Sequence, residues 1–337
     1  MPGFQVSVNV QPAIGIAGDF ASANPRSSVQ AGAGGLVAGP QGVTVGAFAW
    51  VTYATADDAN APGTVQSFYG VQAGLLPTSG GNAPDGFVHR EMQALNTIYP
   101  PYTTTAGDNT IQPGLGVGGL FRSGDFFMTN SGTTPVQPGH TVYAYLATGL
   151  ARGGYANTSG TVATTAIAAA TAISCTATVN GNIMTVSAIS TGTIVAGALM
   201  ANASLIVGTM VTGQITPLLT GEALGGIGRY TLSIPEQTLA VAGTVTGSYG
   251  VLTLGATPTT AVPIGALLSS STIVGTATFV TQLLSGSPGV SGATFAVSNA
   301  TVAGSATVTF TLDVATNWVV DSSALAGEVF KARSLIP

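Results

Sequence analysis

The sequence predicts an all-β protein: an N-terminal β-sandwich or barrel domain followed by two tandem small β domains. Three observations lead there. Short runs rich in Val, Thr and Phe, separated by Gly, Pro and Asn turns, fill the first 150 residues. A motif is then written twice, as GNIMTVSAISTGTIVAGALMANASLIVGTMVTGQ (Gly181–Gln214) and YGVLTLGATPTTAVPIGALLSSSTIVGTATFVTQ (Tyr249–Gln282). Finally, 45% of residues are hydrophobic but only 6% are charged, against about 25% charged in ordinary globular proteins. Such a chain has material for strands that pack on one another and little for solvated helix faces.

The N-terminal residues alternate, with Phe4, Val6, Val8 and Val10 on one side and Gln5, Ser7, Asn9 and Gln11 on the other. Period-two alternation predicts a half-buried strand, which Pro12 closes. Two placements fit it: an edge strand of its own domain, or an arm added to a neighbour's sheet. Further strands are predicted at Val43–Thr52, Thr64–Gln72, Gly86–Arg90, Asp125–Asn130 and Thr141–Leu146, with a helical turn around Arg90–Asn96. Residues 151–172 read as a linker, with a short helix at Ala166–Ala172.

The duplicated motif predicts one β module over residues 173–248 and a second over 249–312. Gly197-Ala198-Leu199 answers to Gly265-Ala266-Leu267, Ile206-Val207-Gly208-Thr209 to Ile273-Val274-Gly275-Thr276, and Gln214 to Gln282. Between Gly153 and Phe310 the only charged side chains are Glu222, Arg229 and Glu236. Charge and aromatics return after Phe310, so residues 313–337 are expected to rejoin residues 1–150, with the modules inserted between them.

Composition also excludes functions. The net charge is −5 with no cluster of Lys or Arg, so the electrostatic footprint of a nucleic-acid binder is missing. Cys175 is the only cysteine, which leaves no internal disulfide and no cysteine-rich zinc site. The N-terminus lacks a basic segment followed by an apolar one, and no run of about 18 apolar residues is present to span a membrane. The chain is therefore expected to be made in the cytoplasm.

No constellation predicts catalysis, a cofactor or a metal. Gly114-Leu115-Gly116-Val117-Gly118-Gly119 matches G-x-G-x-x-G by letter, but Pro113 precedes it and no helix pattern follows. His89-Arg90-Glu91 is the densest polar cluster. A strand-end salt bridge or an intersubunit contact explains it more simply than acid–base chemistry, which needs a second positioned partner. His140 lies in a Pro-Gly turn. Asp57, Asp58, Asp85 and Asp108 lack the alternating spacing of a calcium loop and read as solvated turn carboxylates.

Three strings in the first domain resemble the tailed-bacteriophage capsid cement (decoration) proteins. They are Gly18-Asp19-Phe20-Ala21-Ser22-Ala23-Asn24-Pro25-Arg26, Ala31–Gly39 and Gly42–Trp50. Gly86–Glu91, Gly124–Phe127, Thr316–Trp318 and Ala326–Lys331 are similar to the same family, so the resemblance covers about residues 1–150 and 313–337. Ala47 departs from the pattern, which has a basic residue there. The resemblance implies a non-enzymatic virion protein that binds the outside of the assembled head, bridges neighbouring subunits of the major capsid protein and makes no contact with DNA. The expected shell-facing residues are Phe4, Val6, Val8, Asp19, Phe20, Asn24, Pro25, Arg26, His89, Arg90 and Glu91. The charge-poor modules predict association between copies, as a homotrimer or alternatively a dimer. A rival expectation is a tail or fibre component whose modules bind a host glycan, for which Tyr230, Tyr249, Phe279, Phe295 and Phe310 are the available aromatic platforms. A virion-associated hydrolase is a third, and it lacks a convincing set of clustered carboxylates or a Ser-His-Asp arrangement.

Overall fold

A computed structural model describes residues 15–39, 42–52, 62–67, 83–90, 110–153, 159–215, 218–234, 237–269, 274, 278–298 and 304–334. Phe4, Val6, Val8, Glu91 and the turn expected after Arg90 lie outside the described residues. Among the described residues the chain is all-β, with no helix.

The strands in order are β1 (Ser27–Ser28), β2 (Leu36–Ala38), β3 (Val43–Thr44), β4 (Phe48–Thr52), β5 (Gly63–Gln66), β6 (Gly86–Val88), β7 (Thr110–Ile111), β8 (Leu120–Thr129), β9 (Thr141–Tyr145) and β10 (Ala151–Gly153). There follow β11 (Ser159–Gly181), β12 (Ile183–Thr191), β13 (Leu199–Ala201), β14 (Val211–Gln214), β15 (Gly228–Leu232), β16 (Gln237–Thr253), β17 (Leu267–Ser269), β18 (Thr278–Ser285), β19 (Thr294–Val297) and β20 (Gly304–Thr311). The chain closes with β21 (Asp313–Val320) and β22 (Val329–Ser334).

The first sheet runs β10-β9-β21-β22-β8-β6-β4-β5-β2, with β1 on β8. The C-terminal pair β21–β22 therefore sits in the middle, between β9 and β8. The run Val43–Thr52, read as one strand, breaks into β3 and β4. Gly46 turns there with φ 78° and donates its N–H to the Val88 carbonyl. β4 is buried on both faces. Phe48 and Trp50 enter a core with Phe87, Phe126, Trp318 and Phe330, while Ala49 and Val51 enter a second core with Val65, Val88 and Leu120. Two-sided burial is why FAWVT lacks polar alternation.

The sheet curls until the start of β4 meets the β9–β10 turn. Ala47 bridges to Leu150, and the Phe48 N–H donates to the Gly149 carbonyl at 2.7 Å. Ala47 is fully buried in this seam, so a basic side chain has no place there.

The second sheet holds β11 to β20, and its pairings close two rings. One ring is β11-β12-β15-β14-β13-β16 and back to β11; its β14–β13 join is the Leu199–Met210 bridge with Met200 N–H donating to Thr209 O at 2.8 Å. The other is β11-β20-β17-β18-β19-β16 and back to β11. Both are six-stranded barrels, and both use β11 and β16. The first half of β11 serves the second barrel and its later half the first. At about 3.3 Å per residue, β11 spans roughly 75 Å.

The two sequence copies close their barrels with the same bonds. Gly197 N–H donates to Val211 O and Val211 N–H to Ala198 O; Gly265 N–H donates to Val280 O and Val280 N–H to Ala266 O. Each barrel has its own core. Ile173, Cys175, Met184, Val211, Tyr230 and Val245 fill the first; Leu252, Leu268, Val280, Phe295, Val308 and Phe310 fill the second.

Residues 151–172 are not a linker with a helix. They form β10 and the beginning of β11, apart from 154–158, which lie outside the described residues. The alanine run is too short to sustain an isolated helix, and its backbone is claimed on one edge by β20 and on the other by β16. The expected module boundary at 248 falls within β16, because that strand belongs to both barrels.

Gly149 tests the seam. Its φ is 69°, and a Cβ there would enter the van der Waals envelopes of the Phe48 and Ser67 carbonyl oxygens. Gly149→Ala is expected to lower unfolding stability by about 2 kcal/mol or more. Gly292→Ala has a similar φ of 84° but open space around it, and should cost about 1 kcal/mol. Chemical denaturation of both variants checks the difference.

Candidate functional site

The most elaborate polar arrangement in the chain is built on β8. The outer half of β8 pairs with β22 along one edge. Its other edge is taken by residues 18–21: Gly18 N–H donates to Phe127 O, Phe127 N–H to Asp19 O and Ala21 N–H to Asp125 O, all at 2.9 Å. β8 is thus saturated on both edges, and the segment that crosses it and the loop that follows carry five of the residues expected to face a partner: Asp19, Phe20, Asn24, Pro25 and Arg26.

Phe20 anchors that segment. The His89 ring stacks on it with centroids 3.8 Å apart and planes at 18°. The Arg26 guanidinium lies 3.6 Å from the same centroid. Two groups so near cannot share a face, so Phe20 is sandwiched between cation and imidazole. Phe121 and Phe126 complete the surround, at 5.5 and 5.1 Å. The Asp19 carboxylate lies 3.7 Å from the Arg90 side chain, and Arg90 N–H donates to Gly18 O. The two candidate groups, 19–26 and 89–90, are therefore one cluster.

Asp125 organises the loop that follows Phe20. One carboxylate oxygen accepts from Ser22 Oγ at 2.6 Å and from Asn24 Nδ2 at 2.7 Å, with Lys331 Nζ 3.7 Å away. Lys331 and Arg333 also flank Asp321, each at 3.4 Å. Asp125 is itself buried, so its removal would strand several polar groups, at about 1–3 kcal/mol by the usual cost of lost charge-assisted bonds. Ala23, Asn24, Pro25 and Arg26 remain exposed above it. Five of the seven Lys and Arg side chains, namely Arg26, Arg90, Arg122, Lys331 and Arg333, lie on or beside β8.

Asp125, Lys331 and Asp321 are not among the residues expected from sequence to face the shell. The signal for Asp125 was available: an acid in the middle of an aromatic strand, GDFF, must be buried with partners or break the strand.

Burial and the Arg26 charge lower the pKa of His89 below its ordinary 6.5, with Asp19 opposing. The stack therefore favours the neutral ring. Burial raises the Asp85 carboxyl above 3.8, offset by the Val51 N–H it accepts and by Arg122. Cys175 is buried in the first barrel with its thiol pushed up to about 11, and has no thiolate character to use.

Other chemistry finds no support among the described residues. No three His, Cys, Asp or Glu side chains gather into a metal set. No helix is long and apolar enough to cross a membrane. The G-x-G-x-x-G string forms a turn and leads into β8 rather than a helix. Tyr230, Tyr249, Phe279, Phe295 and Phe310 are all buried barrel-core residues, which removes the aromatic platforms a glycan-binding role would need.

A family model described as XM1 gp53 minor capsid protein matches residues 4–188. The match takes in the 18–26 segment, His89–Arg90 and all of β8, but not Lys331, Asp321 or Arg333, and continues through β11 into β12. No curated protein and no solved structure matches the chain.

The sign of the His89 effect can be checked. Its folded pKa is lower than its unfolded value of 6.5, so the unfolded chain binds the extra proton first. Stability contributed by the neutral stack is present above that value and is lost as pH falls through it. Between pH 7.5 and 5.5 the wild type should lose more stability than His89→Gln, measured by denaturant midpoints. Equal pH slopes would contradict a lowered His89 pKa in the folded state.

Proposed function

Because the chain belongs to the XM1 gp53 minor capsid protein family, we propose that it is a virion structural protein of the cement type. It binds the outer surface of the assembled phage head and bridges neighbouring subunits of the major capsid protein. The β8 cluster faces the shell, with the exposed Ala23–Arg26 loop at its centre. The body built from residues 1–150 and 313–337 makes the contact, and the two barrels stand on it as an inserted unit. The protein needs no cofactor, performs no catalysis and touches no nucleic acid.

The observation that carries this reading is a preorganised polar loop on a rigid base. Asn24 and Ser22 are fixed by Asp125, and Arg26 by Phe20. Ordering of this kind before contact favours binding. A ligand that recognises only the assembled shell stabilises it by mass action, about 2.7 kcal/mol per site at a hundredfold excess over Kd. Contact with more than one subunit adds multivalency.

The barrels support association between copies, as a trimer or a dimer, because they carry almost no charge to hold them apart.

Binding to purified heads that lack the protein tests the reading. Wild type should saturate the heads and raise their dissociation temperature. Arg26→Glu should fold normally and bind at least about tenfold more weakly, as expected for a central interface arginine. Equal binding by the variant would remove the loop from the contact.

A further inference from the structure

The loop between β14 and β15 in the first barrel has no structural need to be what it is. The corresponding loop of the second barrel, between β18 and β19, runs from Gly286 to Ala293 as GSPGVSGA and closes its barrel with one exposed aliphatic side chain, Val290. Both loops dock in the same way: Ile194 N–H donates to Gly225 O at 2.9 Å, and Val262 N–H donates to Pro288 O at 3.0 Å. The second barrel is therefore an internal control. A short Gly-Ser-Pro turn suffices for closure, yet the first barrel carries a longer loop with Leu218, Leu219, Leu224 and Ile227 all exposed, Leu219 at 55% and Leu224 at 79%.

That loop is also held rigid. Glu222 accepts the Leu219 N–H at 2.7 Å and the Arg229 Nε–H at 3.0 Å. Gln214 donates to Ala223 O and accepts from Gly225 N–H, both at 2.8 Å. The Tyr230 hydroxyl donates to Gly226 O at 2.6 Å. A frame of this density fixes four aliphatic side chains in water, where their exposure is unfavourable.

We propose that residues 218–227 form the contact through which a second copy of this chain docks. The distribution of charge selects that partner. The barrels contribute Glu222 and Glu236 against Arg229, or −1 of the chain's −5, leaving −4 on the remaining segments. Two copies therefore repel through their shell-facing bodies and least through their barrels. Among the described residues the ion pair at the loop, Glu222 with Arg229, is internally neutralised, so an apolar, uncharged surface of the same kind is its complement. The proposal deepens the association between copies described above and rests on that reading, but not on the head-binding part of it.

Sedimentation velocity of the full chain over a micromolar concentration series tests it, with Leu219→Ser/Leu224→Ser as the variant and Val290→Ser as the control. Wild type and Val290→Ser should self-associate alike. The double variant should keep its thermal midpoint and dissociate at least about tenfold more readily, the effect expected when interface anchors are removed. A double variant that associates like wild type, or a wild type that stays monomeric at tens of micromolar, overturns the proposal. Head binding is measured on the same samples. A double variant that loses head binding while associating normally assigns the loop to the shell instead and also overturns it. A double variant that dissociates while single copies still bind heads supports it.

Discussion

Unpaired backbone at sheet edges is the constraint on which the rest of this structure depends. Most β proteins keep open edges apart with lysines and other charges. Here the long segment between Gly153 and Phe310 has three charged side chains in all. Ring closure is a solution that needs no charge, since a closed barrel has no edge to protect. Both barrels close, and sharing β11 and β16 lets the chain close the second with few additional strands. Long shared strands follow from this economy, as do the matched Gly197 and Gly265 turns, whose φ values of 86° and 83° only glycine adopts readily.

The first sheet solves the same problem differently. It curls until Ala47 and Phe48 meet Gly149 and Leu150, and it lays residues 18–21 along the free half of β8. Using a partly irregular segment as an edge cover has a structural consequence. The segment is locked at Phe20 and Asp125, so the loop between these anchors is displayed without being free to wander. Burial that protects a strand and rigidity of the loop arise from the same few residues.

Much of this was legible in the sequence. Turn residues and runs rich in Val, Thr and Phe placed β6 and β9 to within two positions and the start of β5 to within one, and the repeated motif falls on strands that bond alike in the two barrels. Strings around Asp19–Arg26 and His89–Arg90 named residues that the fold brings into one cluster. What could not be read was which elements share strands. The alanine run at 166–172 has weak local preference for any structure, and only pairing with β20 and β16 decides that it is strand. Likewise Asp125 gains its importance from Ser22 and Asn24, about a hundred positions away, a separation that no local pattern encodes. The break at Gly46 was missed because VTVGAFAWVT is apolar throughout, so periodicity gave no sign of a turn.

Single-particle imaging of virions with and without the protein addresses the central claim most directly. The account predicts density on the head lattice, with the β8 side of the first sheet against the shell and the paired barrels farther out, touching one another between neighbouring copies. Density confined to the tail, or barrels seated on the shell with the β8 cluster turned to solvent, would contradict it.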